Sequence, residues 1–372
     1  MIKRVLIIGA YGNFGSRITE KLSAEPDLQV VIAGRSEDKC RALATRLQTM
    51  PNPPVYQVLD IDKNFSSALE KAAPDIVVHT SGPFQGQGYA VAEACIEYGC
   101  HYIDLADGRD FVEGFGRLDA RAREKNICLI TGASSVPALT SAIVDAYLPQ
   151  FKKLVSLDYA ITTAHLTNTG LATTSAILSY SGMPIKTLVE GSMQTVYGWQ
   201  DLHSRYYPEL GRRLLGNCDI PDLALFPQRY KSLKNVRFYA GNELKILHLG
   251  HWALSWLVRS GFISNLAKFA KSLLRLSRLF DFIGHDKSGF HMEMRGTGHD
   301  GKPHKITYYI IAGSGHGPFI PSIPAILCTQ MLARGEITAP GAWPCMGVIT
   351  LSQYTAALKE MDISISVTED QR

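Results

Sequence analysis

The stretch Val5-Leu-Ile-Ile-Gly9-Ala-Tyr-Gly12-Asn-Phe-Gly15 decides the fold. An apolar run leads into three glycines at three-residue spacing, and a helical apolar period follows from Asn13 to about Ser23. A strand that ends in glycines and turns into a helix lets the backbone approach a pyrophosphate, with the helix amides aimed at it. Gly9 and Gly12 permit the turn and the close approach, and Gly15 lets the helix lie against the sheet. Tyr11, Asn13 and Phe14, set among those glycines, join them as candidate dinucleotide contacts.

The next strand, Gln29-Val-Val-Ile-Ala33, runs into Gly34-Arg35-Ser36 at the place where a chain that binds NAD carries Asp or Glu for the ribose 2′-hydroxyl. A carboxylate would repel a 2′-phosphate. The Arg35 guanidinium pairs with one, and the Ser36 hydroxyl donates a hydrogen bond. The expected cofactor is therefore NADP(H); the plainer reading of Arg35 is a solvated arginine at a strand end.

Apolar strands alternate with amphipathic helices up to about residue 135. Strands are predicted near 4–9, 29–34, 54–59, 75–79, 101–105 and 127–131, with helices at 13–23, 37–48, 64–72, 86–98 and 110–125. The fold class is α/β, a Rossmann-type doubly wound parallel sheet of six strands over residues 1–135. In such sheets ligands sit beyond the carboxyl ends of the strands. That places Asp60 near adenine, and Ser81, Gly82, Pro83 and Phe84 among the cofactor contacts. Asp104, Asp107 and the stretch 131–135 fall towards the nicotinamide.

Beyond residue 136 the alternation stops, and a second α+β domain for substrate or dimerisation is expected over 136–320. It has helices near 137–148 and 170–181, a strand near 154–164, and a hairpin around Gly298-His-Asp-Gly301. Residues 321–362, with helices near 322–334 and 351–361, are expected to pack back on the first domain, and the residues after Asp362 to form a polar tail.

Two segments carry a pattern: His79-Thr-Ser-Gly-Pro-Phe, and Ala94-Cys-Ile-Glu-Tyr-Gly-Cys-His-Tyr-Ile-Asp104-Leu. Together they resemble the saccharopine dehydrogenase-like oxidoreductases, which have a G-P-[FY] loop after strand four and an A-C-x-x-x-G-x-x-Y-x-D-L run into strand five. The resemblance covers most of residues 1–135 and continues more weakly through Gly132-Ala-Ser-Ser-Val-Pro137, Gly315-His-Gly-Pro and Ala333-Arg-Gly335. It implies a two-domain pyridine-nucleotide oxidoreductase but not saccharopine as substrate.

Hydride transfer asks the protein for placement and for one proton. Asp107, Asp104, His316 and His165 are the candidate catalytic residues: the aspartates follow strand five, His316 lies between glycines, and His165 ends a charge-free strand. Structural roles compete with each, a cap for Asp104 and a buried core histidine for His165. A dicarboxylate substrate would need an arginine clamp, for which Arg205, Arg212, Arg213, Arg229, Arg237 and Arg295 are available. Tyr230 and Lys234 have the Tyr-x-x-x-Lys spacing of short-chain dehydrogenases but lie in a Pro-, Gln- and Asn-containing stretch, so the spacing is read as coincidence.

Composition bounds the rest. Across 372 residues, 46% are hydrophobic and 19% charged, ordinary for a globular chain of two domains. The net charge of +4, with no basic block, argues against nucleic acid. Seven cysteines without C-x-x-C pairs suggest neither a metal site nor disulfides, and with no signal peptide apparent the expected setting is cytoplasmic. Residues 252–283 interleave Trp, Phe and Leu with Lys and Arg. This reads as a basic amphipathic helix, expected either to pack on the sheet or to make peripheral membrane or lipid contact. The preferred reading is hydride transfer to or from a small-molecule C=N or C=O, in a chain that can form a homodimer. An enoyl or lipid reductase and a non-catalytic NADP(H)-binding redox sensor are the alternatives.

Overall fold

The computed structural model describes residues 2–63, 65–167 and 170–371. The chain forms two compact units, Met1–Ser141 with Phe319–Tyr354, and Ala142–Pro318 with Thr355–Arg372.

In the first unit six strands appear close to their predicted places: β1 (Lys3–Ile8), β2 (Leu28–Gly34), β3 (Val55–Val58), β4 (Ile76–His79), β5 (His101–Asp104) and β6 (Cys128–Thr131). The sheet has seven strands rather than six. Its order is Gly341–Pro344, β6, β5, β4, β1, β2, β3, and every pairing is parallel. The chain reverses its direction of winding between β1 and β4, the switch point at which doubly wound sheets bind ligands. Val5, Leu6, Ile7, Ile76, Val77 and Val78 on those two strands are wholly buried, as continuous apolar runs in a two-sided sheet must be.

The third helix runs Phe65–Ala72; Asn64, its expected first residue, lies outside the described residues. The helix expected at 110–125 is two short helices, Arg109–Glu113 and Asp119–Glu124, joined by a 3₁₀ turn at Gly114–Leu118, where Gly114 and Gly116 weaken the α-helical ladder. All seven cysteines are buried and unbridged.

The second unit is built on a mixed sheet. The long strand Phe151–Thr163 lies between Asn235–Asn242, parallel to it, and Ser288–Gly298, antiparallel; Pro303–Ala312 follows outward. Leu157, Tyr159, Phe290, Met292, Met294, Ile306 and Ile310 bury one face. Residues after Asp362 are not a tail: Ile363–Gln371 pairs antiparallel with Pro303–Ala312 along its length.

Nor is 252–283 one helix. The helix Lys245–Arg259 stops at Ser260-Gly261, where Gly261 takes φ +83°. A 3₁₀ turn at Leu266–Phe269, capped by Asn265 Oδ1 accepting from the Ala267 amide at 2.7 Å, then starts the helix Ala270–Ser277, which ends in a 3₁₀ turn at Arg278–Ile283. Left-handed glycine and the Asn cap supply the break that the apolar period conceals.

Candidate functional site

The glycine loop is shaped by what its residues lack. Gly9 stands at φ +79°, and a Cβ there would lie 2.7 Å from Ser81 Oγ and 2.8 Å from Thr80 Oγ1. A Cβ on Gly15 would lie 2.3 Å from the Gly9 carbonyl oxygen. The turn closes through the Gly12 amide, which donates to that same oxygen at 2.8 Å, and the loop is pinned by the Gly9 amide donating to the Ala33 carbonyl at 2.9 Å. Helix Asn13–Ser23 then starts from Gly12 with no side-chain cap and no acidic residue in its first turn. An uncapped helix start behind a glycine cradle is a seat for an anion.

Tyr11 props the next turn rather than opening onto it. Its hydroxyl accepts from the Ser36 amide at 3.1 Å, and its ring fills the space beside Gly34, where a Cβ would come within 2.3 Å of Cε1. Ser36 caps the helix Glu37–Arg46, its Oγ accepting from the Lys39 amide at 3.4 Å. Arg35 between them is exposed, and among the described residues no hydrogen bond or ion pair engages it. Arg41, by contrast, is tied to Glu37 at 2.5 Å. Lys39, over the Tyr11 ring at 5.6 Å, is a second cation at this corner. The sequence reading passed over it, although its place three residues after the capping Ser36 was visible.

The remaining expected contacts divide. Asn13 Oδ1 accepts from Arg17 Nη1 at 2.8 Å, and Phe14 is half-buried. Asp60 closes its own turn, Oδ1 accepting from the Asp62 amide and Oδ2 lying 3.5 Å from Lys63 Nζ. After β4, Thr80 Oγ1 donates to the Ile8 carbonyl at 2.8 Å, and the Ser81 and Pro83 carbonyls accept from Gln87 Nε2. The Phe84 ring is core, packed edge-on to His79 at 5.1 Å and against Phe111 at 5.3 Å, which leaves the backbone of 81–84 as the part a ligand can meet. His79 is sealed beneath; burial lowers its pKa to about 4.

The two aspartates after β5 separate into different roles. Asp104 is wholly buried, its Oδ1 accepting from the Ala106 amide, the Thr131 hydroxyl and the Gly132 amide at 2.8–2.9 Å. Burial raises its pKa to about 6 against those donors. It ties the ends of β5 and β6 together, the structural role that competes with the catalytic one expected of it. Asp107 is half-buried, accepts from Gln85 Nε2 at 3.1 Å, and has its pKa raised by burial. Gly108 brings this loop against the Phe84-Gln85 backbone, where a Cβ would meet main-chain atoms at 3.2–3.3 Å. Asp107 is therefore a half-buried carboxyl, among the described residues, beyond the carboxyl end of β5.

Both candidate histidines belong to the second unit. His165 Nε2 lies 2.9 Å from Asp281 Oδ1, and its ring lies where a side chain on Gly284 would sit. Its amide donates to Glu243 Oε2 at 2.7 Å. This is an anchored residue at a strand end. His316 Nδ1 accepts from the Asp362 amide at 2.8 Å, which puts the proton of the neutral ring on Nε2.

The arginines form no clamp. Arg205 and Arg295 pair with Glu293, Arg229 with Asp145 and Arg237 with Asp201, while Arg213 donates to the Glu243 carbonyl and Arg212 to Ser204 Oγ. Tyr230 donates to Asp145 Oδ1 at 2.8 Å, so its spacing to Lys234 is incidental. A cavity of about 550 Å³ opens in this unit, lined in part by Arg213, Glu243, Lys245, Ile283, His285 and Lys287.

The saccharopine dehydrogenase NADP binding domain family matches residues 5–130. A saccharopine dehydrogenase-like oxidoreductase of Bos taurus is 29% identical over 150 residues, 36% of this chain and 35% of that protein. A trans-acting enoyl reductase of Mycobacterium leprae is 29% identical over 140 residues, 36% of this chain and 33% of that protein. The match thus spans about a third of the length of these relatives. In fold, a saccharopine dehydrogenase (L-Glu forming) from Saccharomyces cerevisiae is similar over 98% of this chain and 100% of its own, with TM-score 0.70 and 14% identity.

Proposed function

We propose that the chain is an NADP(H)-dependent oxidoreductase of the saccharopine dehydrogenase-like type acting on a C=N or C=O bond of a small molecule, a reading supported by the match of residues 5–130 to the saccharopine dehydrogenase NADP binding domain family. The observation that carries the reading is Arg35, exposed and unpaired beside a glycine cradle and an uncapped helix start. The cofactor, when bound, supplies or accepts the hydride. The chain's own residues do the rest. The amides of 13–15 would hold the pyrophosphate, Arg35 and Lys39 the 2′-phosphate, and the backbone of 81–84 would orient the ring end. Asp107, whose Oδ1 accepts from Gln85 Nε2, is the side chain proposed to pass a proton to or from the reacting atom.

One observation favours a second reading, an enoyl or lipid-like substrate. Arg205, Arg229, Arg237 and Arg295 of the second unit are paired with internal carboxylates, which weakens support for a dicarboxylate amino acid. The trans-acting enoyl reductase similarity supports the same alternative.

Calorimetric titration with NADPH and NADH tests the cofactor, and NADPH oxidation with cyclic imines, ketones and enoyl thioesters tests the reaction. Preferential NADPH binding with turnover of imines or ketones is expected. Turnover of enoyl thioesters alone would establish the second reading, and NADPH binding with no turnover would point to a redox sensor. No binding of either nucleotide would overturn the proposal.

A further inference from the structure

We propose that the layer at 245–283 docks the protein on a surface of anionic phospholipid headgroups. This rests on the second unit alone and is independent of the reaction. The segment is held to its unit by an inner side, where Val258, Leu266 and Ala270 pack with Leu178. Its other side carries large apolar side chains that nothing in the unit covers: Phe262 is 83% exposed, Phe282 84% and Leu279 67%. Phe269 and Leu276, each about half exposed, accompany them. Isolated exposed leucines are common, but a set of this size on one segment marks an interaction surface.

Charge says which kind. Between residues 245 and 284 the sequence has six lysines and arginines and one carboxylate, Asp281. Asp281 is occupied by His165 Nε2 at 2.9 Å. Arg259 is held in place, donating to Gln200 Oε1 at 2.6 Å and stacked on Tyr197. Lys268, Lys271, Arg275 and Arg278 are exposed, and among the described residues none has an acidic partner; Lys268 reaches only Ser264 Oγ at 3.4 Å. Aromatic and leucine side chains standing among unpaired cations match a headgroup layer, in which rings enter the acyl boundary while ammonium and guanidinium groups reach phosphates. No helix among the described residues is long and apolar enough to cross a membrane, so the contact is peripheral. A second copy of the chain is a poor occupant. A two-fold contact sets the same patch against itself, and here that would bring unpaired positive charge together.

The test is cosedimentation with vesicles of phosphatidylcholine alone and of phosphatidylcholine with phosphatidylserine. The wild-type protein, Phe262→Ser/Leu279→Ser/Phe282→Ser and Lys271→Glu/Arg275→Glu are compared, with NADPH titration as an independent check of folding. The wild type should favour the phosphatidylserine vesicles and release as salt is raised. Each variant should bind them at least about tenfold more weakly with NADPH affinity unchanged. Should a variant lose NADPH affinity as well, the wild type's lipid preference and salt response decide. No binding to anionic vesicles, salt-insensitive binding, or undiminished binding by both folded variants would overturn the proposal. So would lipid-free self-association of the wild type that the triple variant abolishes.

Discussion

Arg35 holds a full charge that no described residue neutralises, one residue past a strand whose neighbour Ser36 is engaged in capping a helix. Replacing it by Ala should weaken NADPH binding by about 1–3 kcal/mol, about five- to more than a hundredfold, and leave NADH nearly unchanged. Calorimetry with both nucleotides checks this; equal losses would remove the 2′-phosphate role. The aspartates make a second contrast. Asp107→Asn should lower kcat by about a hundredfold or more while NADPH affinity holds, because one oxygen already serves Gln85 and the group lies beyond the carboxyl end of β5, where such sheets bind ligands. Asp104→Asn should act on stability, costing about 1–3 kcal/mol in urea denaturation, since a neutral amide oxygen accepts the three bonds that converge on Oδ1 more weakly than a carboxylate oxygen. Unchanged turnover in Asp107→Asn would remove that residue from the proposed chemistry.

At the scale of elements, the edge strand Gly341–Pro344 is clasped by one side chain. Asp119 Oδ1 accepts from the Ala342 amide at 2.9 Å, and Arg123 Nε donates to Oδ2 at 2.7 Å. Asp119→Ala should loosen this edge, lowering stability by about 1 kcal/mol and raising amide exchange at 341–344. Intact protection there would show that strand pairing alone holds the edge. This strand also marks the limit of what can be read from the chain. β1 to β6 are visible because each is an apolar run between turn residues, and the cofactor loop because its glycines follow such a run at fixed spacing. Gly-Ala-Trp-Pro has no strand signature, and only its distant parallel partner, Cys128–Thr131, makes it one. Ile363–Gln371 did alternate, Ile-Ser-Ile-Ser-Val-Thr, but its polar composition hid the period. The site was legible where it depends on local backbone. It was illegible where a partner arrives from far along the chain, as Asp281 does at His165 or Thr131 at Asp104.

At the scale of the molecule, buried histidines make stability depend on pH in different degrees in the two units. His79 in the first unit, and His248 and His291 in the second, all have pKa values lowered by burial to about 4 from 6.5. A lowered value means that the unfolded chain takes up a proton first, so the stability these groups contribute is full above pH 6.5 and lost as pH falls towards 4. Near pH 5 each costs roughly 2 kcal/mol. Asp104 runs the other way. Its raised pKa, about 6 against 3.8, means that stability is lost as pH rises through 6 and regained on acidification, offsetting much of His79 in its own unit. Acidification from pH 7 to 5 should therefore raise amide exchange more in the second unit than in the first. Equal changes in both would contradict this accounting.

The two units are interleaved along the chain, since Phe319–Tyr354 completes the first and Thr355–Arg372 completes the second. On a ribosome, β6 emerges long before the strand that pairs with it, and the outer edge of the nascent nucleotide sheet stays open while the whole stretch 142–318 is being made. An unpaired parallel edge is a template for foreign strands, so this period of synthesis is when the chain is most exposed to mispairing. The same order constrains genetic dissection: a cut after residue 141 leaves a sheet without its last strand, and a fragment that begins at 142 and stops at 318 lacks the strand that borders Pro303–Ala312. Recombination that exchanges the second unit must replace an internal insert and its returning tail together.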